Sequence, residues 1–230
     1  MGKTILVVGF GPGISTAVAE KFGSAGFSVA LVARNEARLA AGVKALKGKG
    51  IEAAAFTADA GDPASIRAAV GKARAALGPI TIIVWTAYGG AEAGDLLAAD
   101  AATVASVFNV AVVGLLAAVQ EALPDLEKSK ESAVLVTNGA FGEINPEVDA
   151  FAVSSKNMGI ALANAAKHKL VGLLSERLKA DGVYVGEVMV AGMIKGTAWD
   201  NGSATLDAST IANKFWELYR ARGDVRARVG

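Results

Sequence analysis

The chain reads as a doubly wound α/β protein, a parallel sheet in a three-layer α/β/α arrangement. Three observations predict this. Apolar runs of strand length alternate with helix-length amphipathic segments from one end of the chain to the other. Most of those runs are continuously apolar, the pattern of strands covered by helices on both faces. The first run also leads directly into a glycine-rich turn that opens a helix.

Taken in order, the strand candidates are Thr4–Val8, Phe27–Ala33, Ile51–Thr57, Ile80–Trp85, Ala133–Thr137 and Val183–Val190. Helical patterns fill the gaps at Ile14–Ala25, Glu36–Leu46, Pro63–Leu77 and Ala101–Leu123, with a long stretch inside Phe151–Ala180. Asp62-Pro63 supplies an N-cap and a first-turn proline for the third helix. A last helix, Ala208–Arg222, carries Phe215, Trp216 and Tyr219 at core-like spacing, and the alternating Asp224–Val229 fits an edge strand. No linker or repeat interrupts the chain, so residues 1–230 are expected to form one domain. Its ligand belongs at the carboxyl ends of the strands.

The opening segment Thr4-Ile5-Leu6-Val7-Val8-Gly9-Phe10-Gly11-Pro12-Gly13-Ile14-Ser15 predicts what that ligand is. Glycines allow the main chain to approach a pyrophosphate, and the free N–H groups and positive dipole end of the next helix face the anion. The strict G-x-G-x-x-G spacing is not met, because Ile14 stands at its third glycine. The looser G-x-x-x-G-x-G is met at Gly9 and Gly13, with Gly11 between them and Ser15 as a small substitute for the last glycine. A tight surface turn is the alternative, but the strand–turn–helix context favours nucleotide binding.

Composition is compatible with that reading. The 230 residues are 53% hydrophobic, enough for one large core and too few for two substantial domains. A net charge of +1 gives no nucleic-acid footprint and no electrostatic anchor for a membrane. With no cysteine, disulfides and thiolate metal sites are excluded, and a reduced cytoplasmic setting is expected. No metal site is expected either: the one histidine, His168, lies in a charged Lys167-His168-Lys169 patch and reads as solvated. The uncharged run Ala101–Val119 is long enough to cross a bilayer, yet Thr103, Ser106, Asn109 and Gly114 interrupt it. Its flanking charges, Asp95, Asp100, Glu121 and Asp125, are acidic. It is expected to pack on its own sheet and against a partner subunit in a homodimer or homotetramer.

At the end of the second strand a dinucleotide fold usually places an acidic residue against the ribose hydroxyls. Here the neighbourhood is Val32-Ala33-Arg34-Asn35, with no carboxylate and a fixed cation. Arg34 is suited to clamp a 2′-phosphate, which favours NADPH over NADH. After the third strand, Asp59 has two readings, an acceptor for the adenine amino group or a simple turn residue.

With these pieces in order, the chain resembles the short-chain dehydrogenase/reductase family, whose sheet is of the Rossmann type. The resemblance covers nearly the whole length. It is carried by Gly9-x-x-x-Gly13-Ile14, Ala33-Arg34-Asn35, Asp59-Ala60-Gly61-Asp62, the Asn109 of Phe108-Asn109-Val110-Ala111-Val112-Val113-Gly114, and the loop Ala191-Gly192-Met193-Ile194-Lys195-Gly196-Thr197. It implies NADP binding by the glycine loop, Arg34, Asn35, Asp59, Ala60, Ala87, Gly192, Ile194 and Thr197. It also implies hydride transfer to or from a small carbonyl or alcohol substrate.

The family's reactive groups are a tyrosine, a lysine four residues later, and a serine after the fifth strand. A phenol with a pKa near 10 needs a nearby cation to act close to neutrality. This sequence lacks Tyr-x-x-x-Lys: Tyr88, Tyr184 and Tyr219 are followed at that spacing by Glu92, Val188 and Gly223. The lysine position is Lys156 when counted from the fifth strand and Lys167 when counted from the sixth; the tyrosine position is then Ala152 or Ala163. Val136-Thr137-Asn138-Gly139-Ala140 holds no serine. One reading is a divergent oxidoreductase in which Tyr88 donates the proton, Lys156 or Lys167 is the cation, and Asn109 or Asn138 orients the substrate or a water. For Tyr88, pocket wall or loop packing is the alternative. The other reading is a protein that binds NADP(H) without turnover, as a sensor or assembly partner. Lys195–Leu206, rich in Gly, Ser, Thr and Asn, reads as a lid over the site, with Trp199 in it.

Overall fold

A computed structural model describes residues 2–197 and 199–230. Seven strands form one parallel sheet: β1 Thr4–Val8, β2 Ser28–Ala33, β3 Ala53–Thr57, β4 Ile80–Trp85, β5 Ala133–Gly139, β6 Tyr184–Val190 and β7 Arg226–Val229. Their spatial order is β3-β2-β1-β4-β5-β6-β7. Winding therefore reverses between β1 and β4, and the crevice above that point is where a ligand of such a sheet sits. The expected edge strand exists, as β7, pairing parallel to β6.

Burial follows position in the sheet. β1, β4 and β6 are buried at every residue, whereas the edge strands β3 and β7 alternate. That is why the central strands read as unbroken apolar runs and Asp224–Val229 did not.

The helices are α1 Ile14–Ser24, α2 Glu36–Gly48, α3 Pro63–Leu77, α4 Ala101–Phe108, α5 Leu115–Leu126, α6 Pro146–Ser154, α7 Met158–Leu178 and α8 Ala208–Ala221. One core packs Leu6, Val8, Ile83, Trp85 and Val134 beneath helices that include α3, α5 and α7. The opposite core packs Ile5, Val7, Val84 and Leu135 against α1 and α8, where Phe22, Trp216 and Tyr219 cluster edge to face or tilted.

Two helical expectations need correction. Phe151–Ala180 is not one helix: α6 ends at Ser154, Lys156 takes a left-handed conformation (φ 55°), and α7 starts at Met158. Asn145 caps α6 by accepting from the N–H groups of Glu147 and Val148. The uncharged Ala101–Leu123 segment continues to Leu126, but Asn109–Gly114 winds as a π-helical turn between α4 and α5. A wider turn rotates the residues after it relative to a regular helix. Gly114 is needed at its end, because a Cβ there would lie 1.9 Å from the Ala60 carbonyl oxygen. Although long and apolar enough to span a membrane, this segment packs through α5 on α3 and β4. Arg74 of α3 ties it down, donating from Nε to Asp125 (2.6 Å) and from Nη2 to the Glu121 carbonyl (2.6 Å). Val113 stays exposed, so the segment is not buried all round.

Candidate dinucleotide and active site

The glycine loop is shaped by close backbone approach. Gly9 has φ +89°, and a Cβ on it would fall 2.4 Å from the Ala87 nitrogen, so the β1 turn lies directly on the end of β4. Gly13, with φ +95°, is the N-cap residue of α1, and no side chain caps that helix. The first N–H groups of α1 are thus left for a ligand. Ser15 is buried and serves the loop itself: its Oγ accepts from the Gly11 N–H and donates to the Gly11 carbonyl, both at 2.8 Å. Thr16 donates to the same carbonyl at 2.8 Å. Ile14 packs at the margin of the core beneath the loop.

Above the loop, Ile194 is buried and pairs with Leu206, closing the base of Lys195–Leu206. The Thr197 methyl would lie 2.7 Å from a Cβ on Gly13, so this segment covers the glycine turn. Gly192 is exposed at the segment's start, near Leu206.

Arg34 is exposed past β2. The Asn35 side-chain oxygen accepts from the Arg38 N–H (2.8 Å) and caps α2, which occupies it structurally. Arg38, which the sequence reading passed over, brings Nη1 to 3.5 Å from where a Gly11 Cβ would be. Its spacing of four from Arg34 was the available signal, since such residues share a helix face. Asp59 takes the Gly61 N–H on Oδ1 at 2.9 Å, the turn arrangement, and remains exposed. A backbone cradle, an uncapped helix N-terminus and two arginines with no carboxylate at the β2 end fit a phosphorylated dinucleotide.

The predicted reactive residues fare differently. Lys156 is exposed, and its carbonyl packs against Gly94 rather than the sheet edge. Asn109 is exposed beside Gly61, on the outer side of the π turn, while Ala111 two residues on faces inward. Tyr184 and Tyr219 are core residues. The Tyr184 phenol donates to the Asp224 carbonyl at 2.6 Å, and burial pushes it up to about 12. Tyr88 stands 57% exposed at the end of β4 with its ring 6.1 Å from that of Trp199.

Lys167 is 3% exposed on the face of α7 that covers β5 and β6. One turn earlier, Ala163 packs with Ala93, Val107 and Ala111 in a small apolar cluster. Burial lowers the Lys167 ammonium to about 8, against the opposing charge of Glu187. Asn138 does not face open space: its Nδ2 donates to Glu187 Oε1 at 2.7 Å and to the Asn164 carbonyl at 3.0 Å. His168 is not solvated as expected, because its Nδ1 lies 2.7 Å from Glu187 Oε2. The Arg226 Nε lies 3.4 Å from the same oxygen, brought there by the Glu187–Arg226 register of β6 and β7. Glu187 itself escaped the sequence reading. A carboxylate inside the apolar run Val183–Val190 was the sign of it, since a buried charge requires partners.

A dinucleotide loop at the sheet's winding reversal, with a buried lysine beyond it, defines a nicotinamide-dependent class of α/β protein. The family description "short chain dehydrogenase" matches residues 3–201, and the chain belongs to that family. A putative ketoacyl reductase of the granaticin polyketide synthase from Streptomyces violaceoruber is 32% identical over 194 residues, 80% of this chain. A short chain dehydrogenase of Pseudocercospora fijiensis is 40% identical over 83 residues, 36% of this chain. The chain spans 65% and 27% of the length of these two relatives, respectively. The fold is similar to that of an NADPH-bound short-chain oxidoreductase from Pseudomonas aeruginosa PAO1 with an atypical catalytic centre. There the TM-score is 0.85 at 19% identity, covering 98% of this chain and 94% of the other.

Proposed function

We propose that this protein is an NADP(H)-dependent oxidoreductase acting on a carbonyl or alcohol through a reactive centre that lacks the usual tyrosine and serine. The observation that carries the reading is Lys167, a buried cation on α7 in a chain whose glycine loop is built for a dinucleotide. When bound, the nicotinamide supplies or accepts a hydride. The chain's own residues would do the rest: Gly9, Gly11 and Gly13 with the α1 N-terminus seat the phosphates, and Arg34 with Arg38 selects the 2′-phosphate.

The rim of the site favours a substrate with an apolar or planar body. Tyr88 faces Trp199, and Phe141 stacks on Phe151 with centroids 5.6 Å apart. The test is a panel of aldehydes, ketones and quinones incubated with NADPH and, separately, NADH, followed by absorbance.

A second reading, an NADP(H) binder without turnover, is favoured by the alanine cluster. Ala163 and Ala111 put methyl groups where a proton donor and a polar helper would stand. Tight NADPH binding with no oxidation across the panel supports it; clear turnover removes it.

A further inference from the structure

Lys167 occupies an unusual place for an ammonium group. Asn164, three residues before it, accepts from Asn138, and His168, the next residue, meets Glu187. The lysine is thus held against the carboxyl end of β5 and the middle of β6, inside the protein. Among the described residues no hydrogen bond or ion pair to its three donors is found. A buried ammonium without a direct partner is costly, so its retention points to a ligand that meets it.

The groups facing this region are few. Glu187 comes from β6, Asn138 from β5, His168 from α7 and Arg226 from β7. Arg228 of β7 is drawn away by its pair with Glu143. Glu187 is fully buried and fixed at both oxygens, Oε1 by Asn138 and Oε2 by His168 and Arg226. It is the carboxylate whose field supports the lysine charge.

We propose that Lys167 is itself the proton donor to the substrate oxygen, directly or through one water, and that Glu187 is the positioning residue that keeps it protonated. The inference rests on the oxidoreductase reading above. In reduction, the carbonyl carbon gains the hydride of NADPH and the C=O π pair moves to oxygen. The O–H bond forms as an N–H bond of Lys167 breaks, leaving a neutral amine that recovers a proton from water. Oxidation reverses each change, with the amine taking the alcohol proton. A phenol near 10 needs a cation to help it; an amine lowered to about 8 by burial transfers a proton near neutrality unaided.

The experiment uses the full chain with Lys167→Met, Lys167→Arg and Glu187→Gln. Acetic anhydride labelling of Lys167 across pH, read by mass spectrometry with and without NADPH, reports its titration independently of turnover. NADPH fluorescence reports binding, and kcat against pH reports the reaction on a carbonyl from the panel. The expected labelling midpoint is near pH 8, and the basic limb of kcat follows it. Glu187→Gln moves both midpoints down. Both lysine variants lose roughly 100-fold in kcat while still binding NADPH, because arginine keeps the charge without a transferable proton. If Glu187→Gln fails to fold, Arg226→Met at a half-exposed position removes a cation facing the same carboxylate and moves both midpoints up. Turnover that survives in Lys167→Arg, or a kcat limb that ignores the labelling midpoint, overturns the proposal and leaves the oxidoreductase reading standing. No turnover by the parent protein despite NADPH binding overturns both.

Discussion

Asn138 and Glu187 are joined side chain to side chain across neighbouring strands, Nδ2 to Oε1 at 2.7 Å, with both residues buried. The contact lies on the face covered by α7, so it links the carboxyl end of β5 to the helix bearing Lys167 and His168. One buried carboxylate there serves an amide, an imidazole and a guanidinium. Replacing it with an apolar residue strands the Asn138 amide and removes the only countercharge near Lys167. Glu187→Leu should therefore cost roughly 3 kcal/mol of stability, and Glu187→Gln about 1. Urea unfolding of the two variants checks this; equal midpoints for Leu and Gln would contradict it.

Lys167 links folding to pH. Its folded pKa, about 8, lies below the ordinary lysine value of 10.5. The unfolded chain then binds more protons between those two values, so this group makes stability rise with pH from about 8 to about 10.5, with no further contribution above. A shift of this size corresponds to roughly 3 kcal/mol. Subtracting the stability–pH curve of Lys167→Met from that of the parent isolates the effect from other groups. A difference that stays flat between pH 8 and 10.5 rules it out.

The glycine loop makes a graded prediction. At Gly9 a methyl group meets backbone, the Ala87 nitrogen at 2.4 Å, and the φ of +89° is itself unfavourable for alanine. At Gly13 the φ is similar, but the obstacle is the Thr197 methyl, on a surface segment free to yield. Gly9→Ala should destabilise by more than Gly13→Ala, which carries roughly 1–3 kcal/mol of backbone strain alone. Thermal melts rank the two; both variants should lose NADPH binding in calorimetry.

Arg34 and Arg38 should separate the two coenzymes. Each charge-assisted contact to a 2′-phosphate is worth roughly 1.5–3 kcal/mol. Alanine at either position should then weaken NADPH about 10-fold or more, with NADH affinity unchanged. Fluorescence titrations decide it: equal losses for both coenzymes would place these arginines elsewhere.

Val113 projects from an apolar segment whose most hydrophobic window is only 39% buried. Burying such a stripe between subunits is favourable in proportion to its area. Light scattering on the parent protein should show a dimer or tetramer, and Val113→Asp should shift it towards monomer. A parent protein that already runs as a monomer refutes this interface.

Much of the fold was legible because its signals are local. β4 and α3 begin and end where the apolar run and the Asp62-Pro63 start predict, and Gly9 to Gly13 mark the loop by composition alone. Ends without punctuation drifted: the break at Lys156 depends on a left-handed residue that no glycine announced. Within the site, Lys156 and Lys167 were equivalent candidates while only chain spacing was known. The same holds for Asn109, whose direction depends on a π turn that regular helical counting does not anticipate.

Sequence by itself determined the alternation of strand and helix, the phosphate-binding turn, and the loss of Tyr-x-x-x-Lys, since each is written in adjacent residues. Tertiary structure alone decided that Lys167 rather than Lys156 is buried behind β5, that His168 is paired, and that Glu187 stands among them. These residues are distant along the chain and meet only through strand register and helix packing. Burial then sets the charge and reactivity of each group, and that is a property of its neighbours in space.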